Sequence, residues 1–480
     1  MQIKIPLSLL SVALLSQLHA QSIELAPIEV KSSVIKTDEL SSSDAIEIYT
    51  QEDIESSDAK DIYEFLNSRT SVASMPSYGN PFTQLLDMRG YGLSNGFLNI
   101  VVRVNGRSLN NIDNAPQLLR SIAIESIERI EIIKSGGIVL AGDGANGGVI
   151  NIITKKDAPT QITLFGGVYN TFGASAFTSH ASQNFTLTAT AQTQASKGYK
   201  AIDAAGNTDE SKLSNANVEF EFTPSELVAF RLGASGTRQD VIYGGVMSKA
   251  QYSDNPAQFA GWTSHQKLDS DTLTSGVTLY INETLSLGAD ASKERKKSDY
   301  VPSYGPSFYE YDAAKLTLDY ETDGLEAHLG LEQLLGERRQ SASTTSKDSK
   351  SLFALASFTF GATDIKAGAR GQKVSYSHED ASVSLSQDKD LYGFELGASH
   401  MLSQNSSIFL SYAHAYQAPN IDMFFATTYA PPTWSAQTNF NSFIEPMKSD
   451  SITVGYNSIT NQNKLKIAAF YTMLKDEIYL

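Results

Sequence analysis

The sequence predicts a compact N-terminal α+β domain followed by an all-β transmembrane barrel, and three observations predict it. Hydrophobic residues make up 41% of the 480-residue chain, yet no window approaches the ~18 consecutive apolar residues of a spanning helix. After Lys156 the helical period disappears, and two-residue alternation continues to the end of the chain. The connections between the alternating segments are tight and long by turns, as in outer-membrane barrels.

The extreme N-terminus reads as a secretory signal, residues 1–20: Lys4 is the positive region and Ile5 to Leu15 the short apolar run. Leu18-His19-Ala20 then forms a cleavage site before Gln21. Residues 21–44 read as a linker. The chain has no cysteine, which removes thiol catalysis, zinc ribbons and disulfide scaffolds together. A formal net charge of −16 argues against nucleic acid as a partner, since phosphate binding needs a basic surface.

From 45 to 156 the pattern is mixed. Thr50-Gln51-Glu52-Asp53 has the logic of a capping box, in which the Thr hydroxyl and an acid about three residues on satisfy free N–H groups. Ala59 to Asn67 reads as a second helix, with Ile62, Phe65 and Leu66 on one stripe. Short strands are expected at Asn99–Val104, Ile127–Ile133 and Val149–Thr154, with Asn105-Gly106 as a turn. The glycines between Gly136 and Gly148 lack the Gly-Lys-Ser/Thr ending of a phosphate loop and precede a strand, so they read as tight turns.

Residues 157–480 read as strands with one apolar and one polar face. Val218, Phe220 and Phe222 alternate with Asn217, Glu219 and Glu221; Phe230 and Leu232 alternate with Ala229 and Arg231. Tight turns are expected near Pro224, Glu283, Asp323, Ala362 and Gln404. Long connections are expected at Ser196–Ser214, Arg238–Ser270, Lys293–Tyr311, Gly336–Lys350, Lys373–Lys389 and Tyr416–Lys448. About fifteen strands are counted by this period. An incomplete set leaves unpaired edges, which hydrocarbon does not tolerate. The chain stops inside the strand-like run Phe470–Leu480, so a C-terminally truncated barrel of the ~22-stranded type is expected. The histidines are dispersed, with no H-E-x-x-H or nucleophile elbow, and no catalytic set or metal-ligand cluster emerges.

Several motifs resemble those of the TonB-dependent receptors. Asp87-Met88-Arg89-Gly90 and Val104-Asn105-Gly106-Arg107 look like the family's "I-R-G" and "V-D-G-R" strands. Glu128 to Ile132, Gly142 to Ala145 and Gly147 to Lys155 resemble "E-R-I-E-V … Y-G-S-G-A-x-G-G-V-I-N-I-x-T-K". Ser411 to Asn420 and Glu445 to Tyr456 look like two barrel strand ends. The resemblance implies that the α+β domain is a plug inside the lumen, and that no resident cofactor is needed. It implies active import of a scarce nutrient, a ferric siderophore or similar metal chelate, or cobalamin. A passive porin or adhesin and a secreted enzyme are the alternatives. The implied partners are the TonB coupling protein, the ligand, and outer-membrane lipid and lipopolysaccharide around a monomer.

Leu25, Ala26, Pro27, Ile28, Glu29 and Val30 resemble the TonB box, an extended peptide that adds as a strand to a partner's sheet edge. The family pairs two plug arginines with barrel carboxylates; Arg89 and Arg129 match the plug side. The polar lumen residues Glu219, Glu221, Arg231, Lys366 and Arg370 are expected to bond to the plug. Ligand contacts are expected at the plug apices, on Tyr78, Phe82, Gln84, Tyr91 and Phe97. In the connections they are expected on Tyr243, Trp262, Tyr304, Phe425 and Trp434, because aromatics bury area at low entropy cost. Haem-type members place a histidine after the "A-P" motif, and none follows Tyr416 here.

Overall fold

The computed structural model describes residues 39–478 apart from 93–95, 111, 135, 302–304, 431–434 and 461–462, and the backbone alone at 426–430 and 435–439. None of the helices among the described residues is long and apolar enough to cross a membrane.

The N-terminal domain is built on a five-stranded sheet. In spatial order its strands are Ile46–Thr50, Ile127–Ile133, Gly148–Thr154, Ile100–Val104 and Arg107–Ser108. Ile100–Val104 and Gly148–Thr154 run parallel, and the other pairs are antiparallel. Asn105 and Gly106 both take positive φ (49° and 84°), as a two-residue turn between twisted strands requires. The helix Gln51–Glu55 opens with the expected capping box between Thr50 and Asp53, and the helix Ile62–Arg69 buries Ile62, Tyr63, Phe65 and Leu66. These side chains pack on Ile130, Ile132, Ile150 and Ile152 of the sheet. The strand Ile46–Thr50 and the hairpin Ala73–Ser77/Asn80–Asp87 are additions that the periodicity did not predict.

The remainder forms one 15-stranded antiparallel sheet in sequence order, from Gln161–Gly167 at one edge to Lys464–Lys475 at the other. Its alternation is inverted relative to a soluble protein. Val218, Phe220, Leu232, Leu273 and Leu352 are exposed on the outer face, whereas Gln192, Asn215, Gln239, Thr272 and Gln372 are buried on the inner one. Such a wall suits hydrocarbon outside and a polar filling inside.

Connections at one rim are tight, at 182–184, 226–227, 281–284, 323–324, 361–362 and 404–405. At the other rim the truly long ones are 197–210, 245–262 and 418–446. The expected long loops at Lys293–Tyr311, Gly336–Lys350 and Lys373–Lys389 are mostly strand, the last two closed by the short segments 340–342 and 381–383. Ladder hydrogen bonds persist there because polar outer faces remain paired across strands, for example Lys373 with Asp388 at 2.8 Å. Strands such as Ser384–Ser403, of 20 residues, therefore far exceed the ~9–11 residues that cross a bilayer.

Candidate functional site

The inner face of the sheet holds the α+β domain, and one group of contacts lies at the tight-turn rim, on the segment ahead of the first plug strand. Glu39 pairs with Lys464 (3.1 Å) and Lys466, and accepts the Ile48 N–H at 2.8 Å. Burial pushes the Glu39 carboxyl up, but the hydrogen bond and charge of Lys466, the Ile48 N–H and Lys464 outweigh it, leaving the pKa below 4.5. The Ser41 carbonyl accepts from the Ser399 hydroxyl. Asp44, 3% exposed, pairs with Lys366 of the wall.

Lys366 also meets Glu395 at 3.1 Å, and Glu395 reaches back into the plug. Its Oε1 accepts the backbone N–H groups of Gly137 at 2.6 Å and Val139 at 2.9 Å. Gly137 enters the short helix Ile138–Ala141 at φ +118°, and a Cβ there would stand 2.3 Å from a Val149 methyl. Glycine is therefore required for this approach. Ile138, Val139 and Leu140 continue the contact as an apolar one, among Phe353, Leu355 and Tyr416 of the wall.

Further contacts run along the lumen. Asp143 pairs with Lys347 at 2.8 Å and accepts the Ala418 N–H at 2.7 Å. Asp113 pairs with Lys296 at 2.6 Å, both nearly fully buried. Asn146 accepts from Ser449 at 2.8 Å. Glu219 accepts from Asn105 at 3.1 Å, Glu221 pairs with Lys156 at 2.9 Å, and Arg370 donates to the Val139 carbonyl at 3.4 Å. Arg231 instead pairs with Asp290 within the wall, at 2.8 Å. In the four pairs Glu39–Lys464/Lys466, Asp44–Lys366, Asp113–Lys296 and Asp143–Lys347, the plug supplies the anion and the wall the cation.

That polarity is the reverse of the arginine-to-carboxylate pattern expected from the resemblance, a pattern that Arg107 of the plug does follow with Glu294 of the wall, at 3.7 Å. Arg89 does reach the wall, but donates to the hydroxyls of Ser451 (2.9 Å) and Thr453 (2.7 Å) and lies 4.6 Å from the centre of the Phe470 ring. Burial lowers its guanidinium to about 10, still cationic at neutral pH. Arg129 is not a plug–barrel contact among the described residues: its guanidinium is held within the plug by Glu131 (2.8 Å) and Glu128 (3.3 Å) on its own strand.

At the long-connection rim, three expected ligand residues meet. Tyr78, on the plug hairpin, stands edge-on to Tyr243 (5.8 Å) and Trp262 (5.5 Å). Tyr78 and Trp262 are more than two-fifths exposed, whereas Tyr243 is buried and hydrogen-bonded to Thr83 (3.0 Å) and Gln266 (3.1 Å). Phe82 is buried against Leu213 and Val241, with Arg120 over its ring, and Gln84 is 9% exposed. These two brace the rim from beneath, so neither is open to a ligand. Phe97 is buried in the plug core, which corrects its expected role. Burial also raises the Tyr91 hydroxyl to about 12. Phe425 packs beneath Arg338, 4.5 Å from its ring centre, and Arg338 pairs with Asp422 at 3.0 Å. Tyr304 and Trp434, and the segment Leu25–Val30, lie outside the described residues.

Of these contacts, Asp44, Asp113, Asp143 and Glu395 escaped sequence reasoning. A lone carboxylate in an acidic chain carries no signal; the one available hint was Gly136-Gly137, whose flexibility implied a close neighbour.

A membrane-type strand wall that encloses a folded domain, tied to it by many small polar contacts, defines a plugged barrel. Two family models match the chain: "TonB dependent receptor-like, beta-barrel" over residues 155–480 and "TonB-dependent Receptor Plug Domain" over residues 38–149. The chain belongs to the TonB-dependent receptors, and its barrel is an outer-membrane barrel of a receptor rather than an enzyme.

Among curated relatives, the ferric aerobactin receptor of Klebsiella pneumoniae is 43% identical over 75 residues, 16% of this chain and 10% of that protein. The vitamin B12 transporter BtuB of Vibrio cholerae is 31% identical over 118 residues, 25% of this chain and 19% of that protein. The matched segments thus span less than a fifth of these relatives. Among solved structures, the ferric yersiniabactin uptake receptor FyuA from Yersinia pestis superposes with a TM-score of 0.68 at 17% identity, covering 91% of this chain and 73% of that one. The unliganded ferric citrate transporter FecA superposes with a TM-score of 0.74 at 12% identity, covering 91% of this chain and 70% of that one.

Proposed function

We propose that the protein actively imports a scarce, bulky nutrient, a ferric siderophore or comparable metal chelate, across the outer membrane. The observation that carries this reading is how the plug is held. Its seat is divided among many separate contacts, most of them polar, with apolar patches at Ile138–Leu140 and at Phe82, so the contacts can be broken in sequence. A diffusion pore has no use for such a stopper. The segment Glu39–Ala45, which a pull from the N-terminus loads first, is tied at the tight-turn rim, opposite the exposed aromatics Tyr78 and Trp262.

In this reading the ligand settles on the aromatic rim, and the Leu25–Val30 segment is offered to a TonB-type partner as an added strand. Force then passes through the linker to Glu39 and Asp44. The ion pairs there exchange for water, the Glu395 clamp on Gly137 follows, and the lumen opens. The names of the aerobactin and yersiniabactin receptors support a ferric chelate as cargo, and that of BtuB supports cobalamin as the second reading.

The test is deletion of Leu25–Val30 in the full-length receptor. Uptake of a panel of ferric chelates and cobalamin is expected to fall to background while surface binding persists. Undiminished uptake overturns the coupling model.

A further inference from the structure

Lys200 is a buried cation that the plug seat does not use. It lies in the long connection 197–210 and is 9% exposed. Lysine is rarely buried to that degree without a carboxylate partner. Among the described residues, however, the Lys200 ammonium forms no salt bridge. It donates instead to two backbone carbonyls where the next long connection begins, those of Gly244 at 3.1 Å and of Gly245.

Both connections are shaped for this reach. The Asp209 carboxylate accepts the N–H groups of Tyr199 at 2.8 Å and Lys200 at 2.9 Å, which turns the chain back on itself. Gly198 permits that turn, with φ at +69° and a Cβ position only 2.1 Å from the Asp209 carboxylate. The Ala201 N–H donates to the Ala257 carbonyl at 2.8 Å, so the two connections are joined at a second point. On the receiving side, a Cβ on Gly244 would meet the Lys200 Cδ at 2.6 Å, so glycine there leaves room for the stem.

The consequence falls on Trp262. The Gly245 N–H donates to the Trp262 carbonyl at 3.0 Å. A Cβ on Gly245 would stand 2.9 Å from the indole Nε1, so the ring lies directly against this peptide. Its edge-on partner is Tyr78, at 5.5 Å. The strand ladder ends at Gly244 and Thr263 and does not hold the Gly245 peptide. Removing an ammonium from water is costly, and its carbonyl partners offset that cost only while they keep their places. An apolar side chain would fill the same space without the charge. The charge therefore points to a positional role.

We propose that Lys200 is a positioning residue for cargo recognition: by holding the Gly244 and Gly245 carbonyls, it sets the Trp262 indole against Tyr78. The connection 197–210 thereby belongs to the recognition surface without presenting an aromatic of its own to the cargo. The proposal rests on the reading that the aromatic rim receives a chelate.

The test compares full-length K200C with the same chain alkylated in urea by 2-bromoethylamine, both refolded in parallel. Alkylation of the sole cysteine gives S-aminoethylcysteine, which restores an ammonium at nearly the original reach. The chain has two tryptophans, so a W434F background isolates the fluorescence of Trp262. Acrylamide quenching of Trp262 is expected to rise in K200C and to return to the level of the lysine protein on alkylation. In cells, K200M is expected to raise the half-saturation of chelate uptake about tenfold at an unchanged maximal rate. Heat-modifiable gel mobility establishes that each variant is folded. Quenching in K200C equal to that of the lysine protein, or not restored by alkylation, overturns the positioning. Unchanged half-saturation in folded K200M overturns the part in recognition. Failure of the wild type to take up any chelate would count against the transport reading, while the quenching result still decides whether Lys200 sets Trp262.

Discussion

Replacing Glu395 isolates one contact of the plug seat and gives a magnitude that the geometry sets. Its carboxylate accepts two plug N–H groups, at 2.6 and 2.9 Å, and faces Lys366 at 3.1 Å in a site where it is 3% exposed. In E395A both N–H groups lose their acceptor, at about 1–3 kcal/mol each when buried. Lys366 keeps Asp44, so the ammonium is not stranded and adds little. The expected loss is therefore about 2–6 kcal/mol of local plug docking. E395Q keeps an acceptor oxygen but exchanges charged for neutral hydrogen bonds, a loss of about 1–2 kcal/mol.

Amide hydrogen exchange reads this directly, because the Gly137 and Val139 amides exchange only when the clamp opens. At ~1.4 kcal/mol per factor of ten, exchange accelerates ~5–30-fold in the Gln variant and ~30-fold or more in the Ala variant. Amides of the plug core, such as that of Ile150, keep their protection. Unchanged exchange at Gly137 and Val139 in E395A refutes the reasoning, since the clamp would then hold nothing.

Further predictions follow from the same contacts. G137A meets both a positive φ and the Val149 methyl 2.3 Å away, and is expected to lower plug stability by about 2 kcal/mol or more in denaturant titration. Glu39 and Glu47 both sit below their ordinary value of 4.5: burial opposes the shift in each, but Lys466 and Lys134 outweigh it. The stability they add is therefore fully present above the unfolded-state value and lost as pH falls through the lower folded one. Protection from exchange at residues 39–48, corrected for the intrinsic rate, is expected to fall as pH drops below 4.5 and to show no step near pH 7. W262A removes one exposed face of the aromatic rim and is expected to weaken chelate binding by about tenfold at unchanged maximal uptake, read by equilibrium binding and initial rates.

What the sequence made legible follows from period and punctuation. The wall was readable because Val218, Phe220 and Phe222 leave no other face for Glu219 and Glu221, and because a two-residue period survives wherever one side meets lipid. Ile127–Ile133 was readable as a short, branched, buried run. The extended hairpins around Lys293–Tyr311 were not, since strand continuing into water is polar on both faces and looks like loop to any hydropathy pattern. Ile46–Thr50 escaped because its five residues run straight into the capping box at Thr50.

The site divides in the same way. Tyr78, Tyr243 and Trp262 could be singled out by residue type and position, but that they touch one another is a property of the folded chain. The latch was invisible: Asp44 and Lys366 lie 322 residues apart, and Gly137 and Glu395 258 apart. Neither carboxylate differs locally from dozens of others. Arg129 misled because the motif around it is strong while its charge is already satisfied by Glu131 two residues on.

The central claim is that the plug must shift within the strand wall for cargo to pass, and a reversible tether tests it most directly. The chain has no cysteine, so N146C/S449C introduces the sole thiol pair, at a point where plug and wall side chains already meet at 2.8 Å. The account predicts that uptake by the oxidised variant falls to background with chelate binding intact, and returns on reduction. Wild-type uptake through a plug that is demonstrably cross-linked would contradict it.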